Sequence, residues 1–287
     1  MEFQRNETNR KIYEINVIFG KILIKDLNMK YLLAIDIGNT NTVLGIMDKG
    51  KVLHSWRVTT GNLQTEDELG ILILSMLHYA DFTKEDISLV GIASVVPNVT
   101  GIYQKISEKY FGLTPFIVGS HLNLKIKIKY EDPKAVGADR ICNVVAAYEK
   151  YGGPGIVIDF GTATTYDVYD EKGNYLGGNI APGIETSAYA LHQRTAKLPK
   201  IDLKLPEKII AANTTESMQN GILLGALDSM EGMVKRISKQ LNSAPVLTLT
   251  GGISRFIKEN SKLKFHLEPD LVLEGIYRIG KRDGLMK

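Results

Sequence analysis

The chain has 287 residues, of which 44% are hydrophobic and 23% charged, and it carries a formal net charge of +3. This length suits two domains or one large one, and the small charge, without a cluster of Lys and Arg, excludes a typical nucleic-acid-binding protein. No apolar run approaches the roughly 20 residues that a membrane span needs. The single Cys excludes a disulfide framework and favours a reducing compartment, so we expect a cytoplasmic protein.

Residues 1–28 are interpreted as a leader of uncertain order. Their one apolar stretch, residues 15–24, is interrupted by Lys21 and lacks a small-residue cleavage site, which disfavours a signal peptide. Met29 stands directly before a strongly apolar segment and is a candidate for the natural start. No residue of the leader has a predicted functional role.

Residues 29–152 predict three strands followed by alternating helices and strands. A tight turn at residues 48–50, Asp-Lys-Gly, joins the second and third strands. Residues 124–129 alternate apolar side chains with Lys and predict an edge strand with a basic outer face. The other strands are expected at residues 31–37, 42–47, 52–58, 89–96 and 116–118, and the helices at 66–80, 99–110 and 138–151.

The same order of elements begins again at Gly155. A turn at residues 172–174, Lys-Gly-Asn, corresponds to the turn in the first half. The strands are expected at residues 156–160, 164–169, 175–178, 246–250 and 263–267, and the helices near 184–193 and 216–241 and from residues 254 and 271.

Six residues of the first half have a residue of the same type 123 positions later. We therefore predict a duplicated α/β architecture with domains at 29–152 and 153–287. No Pro- or Ser-rich linker separates the halves, so close packing is expected. The identical pairs are Asp36 and Asp159, Gly38 and Gly161, Thr42 and Thr165, Lys49 and Lys172, Gly50 and Gly173, and Leu53 and Leu176.

Residues 36–42, Asp-Ile-Gly-Asn-Thr-Asn-Thr, stand at the end of a predicted strand and turn back into the next one. Gly38 allows close approach to the backbone, and successive N–H groups of such a turn can form an anion-binding nest. Asp36 would repel a phosphate unless a cation lay between them, so it indicates Mg²⁺ bound through water. The alternative is an ordinary polar turn in which Asp36 bonds to nearby N–H groups.

Residues 159–165, Asp-Phe-Gly-Thr-Ala-Thr-Thr, form the second copy of this motif. Two such turns on related domains can face each other across a cleft and hold a polyphosphate from both sides. Because phosphoryl transfer needs mostly positioning and charge neutralisation, the pair favours an enzyme that transfers a phosphoryl group from ATP.

Residues 137–140, Gly-Ala-Asp-Arg, open the predicted helix at 138–151. In one interpretation, Asp139 interacts only with free N–H groups at the helix start and Arg140 is a surface charge. In the other, Asp139 is the base that accepts a hydroxyl proton and Arg140 binds an acidic substrate group with two hydrogen bonds. The spacing alone leaves both open.

The remaining distinctive residues give weaker signals. Residues 250–252, Thr-Gly-Gly, lie between a predicted strand and a helix, which is typical either of a nucleotide contact or of a tight connection. The five His residues lack metal-ligand spacing, so zinc chemistry is not expected. Cys142 and Trp56 are predicted to serve packing.

Taken together, these motifs resemble those of the type III pantothenate kinases, in the superfamily of acetate and sugar kinases, chaperone ATPases and actin. The resemblance implies an α/β fold of duplicated ribonuclease-H-like (actin-like ATPase) domains, each a mixed five-stranded sheet with helices, and a nucleotide in the interdomain cleft. It also implies transfer of the ATP γ-phosphoryl group to the 4′-hydroxyl of pantothenate, the first step towards coenzyme A. It covers residues 29–287 and rests on residues 36–42, 137–140, 159–165, 178–183 and 213–214.

The resemblance also implies roles for individual residues. Asp159 corresponds to the ligand of a monovalent cation, K⁺ or NH₄⁺, and Asp139 to the catalytic base. Thr214 corresponds to a pantothenate contact supplied by the neighbouring subunit, which implies a homodimer with composite sites. The implied ATP contacts are Asp36, Ile37, Gly38, Asn39, Thr40, Asn41, Thr42, Val43 and Thr162. The implied substrate contacts are Tyr130, Gly137, Ala138, Asp139, Arg140 and Thr214.

Two alternatives remain at this point. The first is a non-catalytic regulator on the same fold, since the related Bvg accessory factors are described as transcriptional activators. The presence of Asp139 beside both phosphate loops argues against lost catalysis, and the absence of a helix-turn-helix or basic patch argues against DNA contact. The second is a kinase for another acidic or sugar-like hydroxyl compound, which would have no particular use for Tyr130 together with residues 137–140.

Overall fold

The computed structural model describes residues 30–61 and 64–285, together with the backbone of two strands in the leader. These strands, β1 (Tyr13–Ile18) and β2 (Lys21–Asp26), pair in antiparallel orientation with Tyr13 opposite Asp26. Met29, the candidate start, and the other leader residues lie outside the described part.

The first five-stranded sheet has the order β5-β4-β3-β6-β7. Its first three strands pair antiparallel and the last two join parallel, so the sheet is mixed. Strand β3 reads as a nearly continuous apolar run because both of its faces are covered: Leu32 and Ala34 face one hydrophobic core, and Leu33 the other. The strands are β3 (Tyr31–Ile37), β4 (Asn41–Asp48), β5 (Lys51–Thr59), β6 (Ile87–Ser94) and β7 (Phe116–Ile117).

The second five-stranded sheet has the order β10-β9-β8-β11-β12, which repeats the topology of the first strand for strand. The antiparallel and parallel pairings also repeat. The predicted duplication is therefore confirmed. The strands are β8 (Gly155–Phe160), β9 (Ala163–Tyr169), β10 (Tyr175–Pro182), β11 (Val246–Gly251) and β12 (His266–Leu267).

Seven α-helices cover the described parts of the sheets, and their ends follow local sequence signals. Thr65 and Glu68 form a capping box at the start of α1, and the Asn213 side chain accepts from the N–H of Glu216 at the start of α5 (2.9 Å). Helix α5 ends at Asn242, which adopts a left-handed conformation. The helices are α1 (Glu66–Tyr79), α2 (Pro97–Ile106), α3 (Ala138–Tyr151), α4 (Ile184–Arg194), α5 (Thr214–Leu241), α6 (Ser254–Asn260) and α7 (Leu271–Arg282).

Helices α3 and α7 join the two halves through one shared hydrophobic core. Leu273 and Ile276 of α7, the last helix of the chain, pack in the same cluster as Leu32 of the first sheet. Val157 and Tyr169 of the second sheet belong to this cluster too. The two halves therefore pack closely, as the missing linker predicts. Among the described residues, no helix combines the length and apolar character needed to cross a membrane.

The predicted edge strand at residues 124–129 is wrong. Only one isolated bridge forms there, between Ile128 and Tyr175, and Lys125 has a left-handed backbone (φ 52°). The segment crosses from the first half to the second, where Leu124, Ile126 and Ile128 pack on the shared core. The alternation of apolar and Lys residues therefore arises because one side of the segment packs on the core. The segment does not pair with a neighbouring strand along its length.

The two Asp-x-Gly hairpins differ in length by one residue. In the first, Ile37 pairs with Thr42, which leaves residues 38–41 in the loop. In the second, Phe160 pairs with Thr164, which leaves residues 161–163. Thr42 therefore occupies the sheet position of Thr164, and its sequence match to Thr165 is one residue out of register.

Candidate active site

A cleft of about 430 Å³ opens between the two Asp-x-Gly hairpins. Thr40 lies on one side and Thr162 on the other, and their hydroxyl oxygens form a hydrogen bond across the cleft (2.9 Å). The predicted meeting of the two turns is thus present in the fold.

Hydrogen bonds from Thr60 stabilise the loop of the first hairpin. The Thr60 hydroxyl donates to the Gly38 carbonyl (2.8 Å) and contacts the Thr42 hydroxyl (2.9 Å), and its N–H donates to the Thr40 carbonyl (2.9 Å). Asn39 and Thr40 remain exposed at the tip. The loop therefore presents polar groups to the cleft on a fixed backbone, as a phosphate-binding turn requires.

Arg57 is a cleft residue that the sequence analysis missed. Asp36, Val43 and Arg57 lie opposite one another on three neighbouring strands, so their side chains share one face of the sheet. The Arg57 side chain is exposed, lines the cleft and forms no ion pair with any described residue. With the strand register known, Arg57 could have been predicted as a cleft residue, because it lies in the same row of the sheet as Asp36.

Burial raises the pKa of Asp36 well above its usual value. The negative charges of Asp139 and Asp159 raise it further, whereas the charge of Arg57 lowers it. Three carboxylates therefore act on one another within the same cleft. This arrangement is unfavourable without a compensating positive charge.

Asp159, at the end of β8, has a side-chain partner on α3. The amide of Asn143, a buried residue of that helix, donates to Asp159 Oδ2 (3.1 Å). Burial raises the pKa of Asp159 to about 6, the Asn143 hydrogen bond opposes this shift, and the charge of Asp139 adds to it. Asn143 stands one helical turn after Asp139, which places both side chains on the same face of α3.

The loop of the second hairpin is braced by the start of α4. The Gly183 N–H donates to the Thr162 carbonyl (3.1 Å), and the Thr186 hydroxyl donates to the same oxygen (2.6 Å). A side chain at Gly183 would collide with the carbonyls of Gly161 and Thr162, so the close approach depends on glycine. Gly183, the last residue of the motif at residues 178–183, thus supports the loop of the second hairpin.

Asp139 lies in the first turn of α3 and lines the cleft. Its Oδ1 accepts from the N–H of Arg140 (2.8 Å), and a Cβ at Gly137 would come within 2.5 Å of the same oxygen. Burial raises the pKa of Asp139, and the Arg140 N–H and charge oppose this shift. Both the helix-start interaction and the cleft position are therefore real, so the two interpretations of Asp139 are compatible.

Arg140 has a protein partner that the sequence analysis did not predict. Its Nε donates to Asp167 Oδ1 (2.6 Å), and both side chains are buried. Its Nη2 is buried and has no hydrogen-bond partner among the described residues. Arg140 is therefore not the predicted surface charge, and only its Nη groups remain for an acidic ligand.

Of the six predicted substrate residues, Asp139 lines the cleft of its own chain and the other five do not: Tyr130, Gly137, Ala138, Arg140 and Thr214. Tyr130 is exposed, and its ring packs edge-to-face on Tyr175 at 6.1 Å between centroids. Thr214 is exposed at the first position of α5. The structure of one chain therefore brings neither Tyr130 nor Thr214 to Asp139.

Residues 250–252 do line the cleft. Gly251 has a left-handed backbone (φ 87°), and a Cβ there would lie 2.6 Å from Asp159 Oδ1. Cys142 is buried, as predicted, and Trp56 is half-buried at the cleft wall. No group of three or more His, Cys, Asp or Glu in the described part of the chain could hold a metal ion by itself.

Two sheets of identical topology, with paired polar hairpins across a cleft, define the actin-like ATPase fold. Solved structures agree with this classification. A Campylobacter jejuni protein described as a candidate Baf family transcriptional activator matches with a TM-score of 0.55 and 18% identity, over 88% of this chain and 100% of that one. Ethanolamine utilization protein EutJ from Carboxydothermus hydrogenoformans matches with a TM-score of 0.52 and 16% identity, over 93% and 92%. At these identities the likeness shows the fold alone.

Sequence comparison defines the family. The family model of the type III pantothenate kinases matches residues 32–236. The type III pantothenate kinase of Bacillus cytotoxicus is 41% identical over 256 residues, which cover 89% of this chain and 98% of that relative. The chain belongs to the type III pantothenate kinase family. The predicted family, fold class and kinase activity are thereby confirmed.

Proposed function

We propose that this kinase transfers the γ-phosphoryl group of ATP to the 4′-hydroxyl of pantothenate in the cleft between its two hairpins. The observation that carries this assignment is the position of Asp139, which lines the same cleft as Asp36 and Asp159. The family supplies the reaction, and the cleft supplies one carboxylate for proton transfer between two polar turns.

The ATP phosphates are proposed to bind between the hairpins. The exposed tip of the first loop and Thr162 of the second provide donors on fixed backbone. Arg57 provides an exposed positive charge that lowers the pKa of Asp36 and forms no ion pair with any described residue. Phosphoryl transfer depends mainly on such positioning and charge compensation. The proposed ATP contacts are those predicted from the sequence, from Asp36 to Val43 and at Thr162, with Arg57 added.

Mg²⁺ is proposed to lie near Asp36 and a monovalent cation at Asp159. Asp36 lines the cleft at the end of β3, which suits Mg²⁺ held by phosphate oxygens and water with Asp36 behind the water. Asp159 faces the cleft with Asn143 fixing one of its oxygens. A K⁺ or NH₄⁺ there would offset the three carboxylates and the phosphate charge.

Asp139 is proposed to act as the general base. A primary hydroxyl is a weak nucleophile at neutral pH, so a positioned carboxylate that receives its proton speeds attack on the γ-phosphorus. The raised pKa of Asp139 makes this carboxylate a better proton acceptor, provided that it is ionised. Gly137, Ala138 and Arg140 are proposed to hold pantothenate beside it.

A homodimer is proposed to complete the substrate site with Tyr130 and with Thr214 from the partner. Ile180, Tyr189 and Ile210 expose large apolar surfaces, and Ile210 is 90% exposed. The side-chain amide of Asn220 on α5 donates to the carbonyls of residues 208 and 209. These hydrogen bonds hold the segment that contains Ile210 beside α5, the helix that begins at Thr214. Two successive exposed apolar side chains, Ile209 and Ile210, are typical of a protein–protein contact.

The proposed dimer can be tested by placing a charged side chain at the proposed interface. Ile210→Glu should raise the dissociation constant by about 100-fold or more, because a carboxylate would have to leave water on association. Ile71→Glu is the matched control, since Ile71 is also exposed but lies on α1. Light scattering at several concentrations measures the mass; a monomeric wild-type chain at micromolar concentration would contradict the dimer.

The activity is tested by pantothenate-dependent release of ADP in K⁺ and in Na⁺ buffer. Asp139→Asn should lower kcat by about 1000-fold while retaining ATP binding, because it removes the proton acceptor and keeps the side-chain shape. Asp67→Asn is the matched control, since Asp67 also stands in the first turn of a helix but away from the cleft. Substantial turnover by the Asp139→Asn variant would reject Asp139 as the base.

We expect the protein to work in the cytoplasm without nucleic-acid or membrane partners. The low net charge and the single buried Cys support this proposal. Fractionation of cells that express the full chain would test it.

A further inference from the structure

Asp167 is a fully buried carboxylate on β9 that has no assigned role in the proposed reaction. It accepts three hydrogen bonds: from Arg140 Nε (2.6 Å), from the Tyr175 hydroxyl (3.0 Å) and from the Thr165 hydroxyl (3.1 Å). These partners come from α3, β10 and the cleft-lining end of β9. Asp167 therefore connects the second sheet to the residue that follows the proposed base.

The duplication shows that the fold does not require a carboxylate at this position. Asp167 lies opposite Val157 on β8, and in the first sheet the residue at the same place, opposite Ala34, is Gly45. Gly45 faces the apolar side chain of Leu273 on α7, which a Cβ there would approach within 2.6 Å. Only the copy beside the proposed substrate loop carries a charge.

Asp167 leaves one end of the Arg140 guanidinium available. Nε is bound to Asp167, whereas Nη2 is buried without a partner in the described structure. An unpaired buried donor is costly, so a ligand oxygen that accepts from it would gain strongly. Gly178 permits this placement, because a Cβ at residue 178 would lie 2.9 Å from Nη2.

We propose that Asp167 is a positioning residue that holds Arg140 so that its free Nη2 receives the carboxylate of the acidic substrate. The inference rests on the proposed function, because it concerns how that reaction selects an acid. Asp167 offsets the guanidinium charge at Nε and fixes its plane, and Tyr175 and Thr165 fix Asp167 in turn. A carboxylate ligand gains more from a guanidinium held in place than from a mobile one.

A buried ion pair can also be purely structural, so the test must separate substrate binding from stability. Asp167→Asn preserves the shape and removes the charge. We expect the KM for pantothenate to rise about tenfold, with the KM for ATP changed by less than about twofold, since Arg140 loses its orientation and the hairpins keep theirs. Equal rises in both KM values, or a melting-temperature loss without a pantothenate effect, would overturn the proposal.

Asp170→Asn is the matched control. Asp170 follows β9, and its Oδ2 also forms an ion pair, with Lys129 (2.9 Å), but its hydrogen-bond partners are residues 129, 172 and 174 and do not include Arg140. Its variant should keep both KM values within about twofold of wild type. A pantothenate effect as large as that of Asp167→Asn would show a general response to lost ion pairs and would overturn the proposal.

If Asp167→Asn does not fold, a milder variant tests whether Asp167 positions Arg140. Tyr175→Phe keeps the ring and removes one donor to Asp167, so the KM for pantothenate should rise about threefold with the KM for ATP unchanged. A double-mutant cycle then tests the route: in an Arg140→Lys background, Tyr175→Phe should add little further change. An unchanged pantothenate KM in Tyr175→Phe, or fully additive effects, would overturn the inference.

The proposed function and the proposed role of Asp167 can be rejected by different results. If wild-type protein releases no ADP in response to pantothenate, the proposed function is wrong and the inference falls with it. If wild-type protein is active and the Asp167 and Tyr175 variants bind pantothenate normally, only the inference is wrong.

Discussion

The two Asp-x-Gly hairpins share a strand topology but differ in loop length and in charge. The first has the longer loop, and its row across the sheet ends in the cation Arg57. The corresponding row of the second hairpin, from Asp159 through Thr165, ends in the exposed apolar residue Ile180. The carboxylate of Asp159 instead accepts from the amide of Asn143.

The two halves therefore share a sheet topology, whereas the side chains at corresponding positions beside the cleft differ. The half with a cation in its own row is suited to phosphate. The row of Asp159 has no cation of its own, and the charge of Arg57 only partly offsets the burial that raises the pKa of Asp159, so this half is suited to binding a cation from solution. Each prediction below either removes this inequality or measures it.

The largest expected effect comes from removing each hairpin carboxylate in turn. Asp36→Asn and Asp159→Asn should each lower kcat/KM by about 100-fold, because a cation that offsets phosphate charge is lost. The two variants should differ in kind: Asp36→Asn should raise the Mg²⁺ concentration needed for half-maximal rate, and Asp159→Asn should abolish the preference for K⁺ over Na⁺. Cation titrations of ADP release measure both, and identical titration curves for the two variants would contradict unequal roles.

The next effect concerns Arg57, the cation present only on the first side. Arg57→Gln should raise the KM for ATP about tenfold and leave the KM for pantothenate nearly unchanged, because one phosphate-compensating charge is lost. Lys51→Gln is the control, since Lys51 is an exposed cation on the same strand that does not line the cleft. An unchanged KM for ATP in Arg57→Gln would exclude Arg57 from nucleotide binding.

A smaller effect should appear in the pH dependence of stability. The pKa of Asp159 in the folded protein, about 6, exceeds its ordinary value of 3.8, so the folded state favours the neutral carboxyl. This contribution to stability is therefore complete below about pH 4 and is lost as the pH rises through about 6. A bound cation reverses the penalty, so K⁺ should raise the melting temperature more at about pH 7.5 than at about pH 5.

Scanning calorimetry in K⁺ and in a bulky organic cation measures this difference. Asp159→Asn should remove the K⁺ effect at both pH values, since the asparagine carries no charge to compensate. A K⁺ effect of equal size at both pH values in the wild type would argue against Asp159 as the ligand.

The smallest expected effect concerns the hydrogen bond between Thr40 and Thr162. Both hydroxyls are exposed, so Thr40→Val should change the free energy of unfolding by less than about 1 kcal/mol. Because Thr40 and Thr162 are both proposed ATP contacts, each substitution should also raise the KM for ATP about threefold through loss of that residue's contact with the nucleotide. Chemical denaturation and steady-state kinetics with ATP varied measure the two effects. A normal KM for ATP in Thr162→Val would exclude that contact.

Much of the fold was predictable because its signals are local. Apolar runs such as residues 31–37 and 156–160 predict buried strands, and the repeated order of elements predicts two related sheets. The strand and repeat signals depend on neighbours along the chain. The spacing around Asp139 left its role open, and its position at the active site was implied only by the resemblance of residues 137–140 to the family motif.

The features that sequence reasoning missed depend on contacts between distant segments. Residues 124–129 alternate like a strand, but their pattern comes from packing on the core that α3 and α7 share. The one-residue difference between the hairpins needs the strand register, which the matching Thr42 and Thr165 obscured. The pairing of Arg140 with Asp167 spans 27 positions and two elements, and no spacing rule indicates it.

Locating both ions would show whether the two hairpins bind different cations, as we propose. A crystal of the protein with Mg²⁺, a non-hydrolysable ATP analogue and Tl⁺, whose anomalous scattering marks K⁺ sites, would show them in one measurement. We expect Tl⁺ within direct bonding distance of Asp159, and Mg²⁺ on the phosphates with water between it and Asp36. Tl⁺ bound at Asp36, or Mg²⁺ bound directly by Asp159, would contradict this proposal.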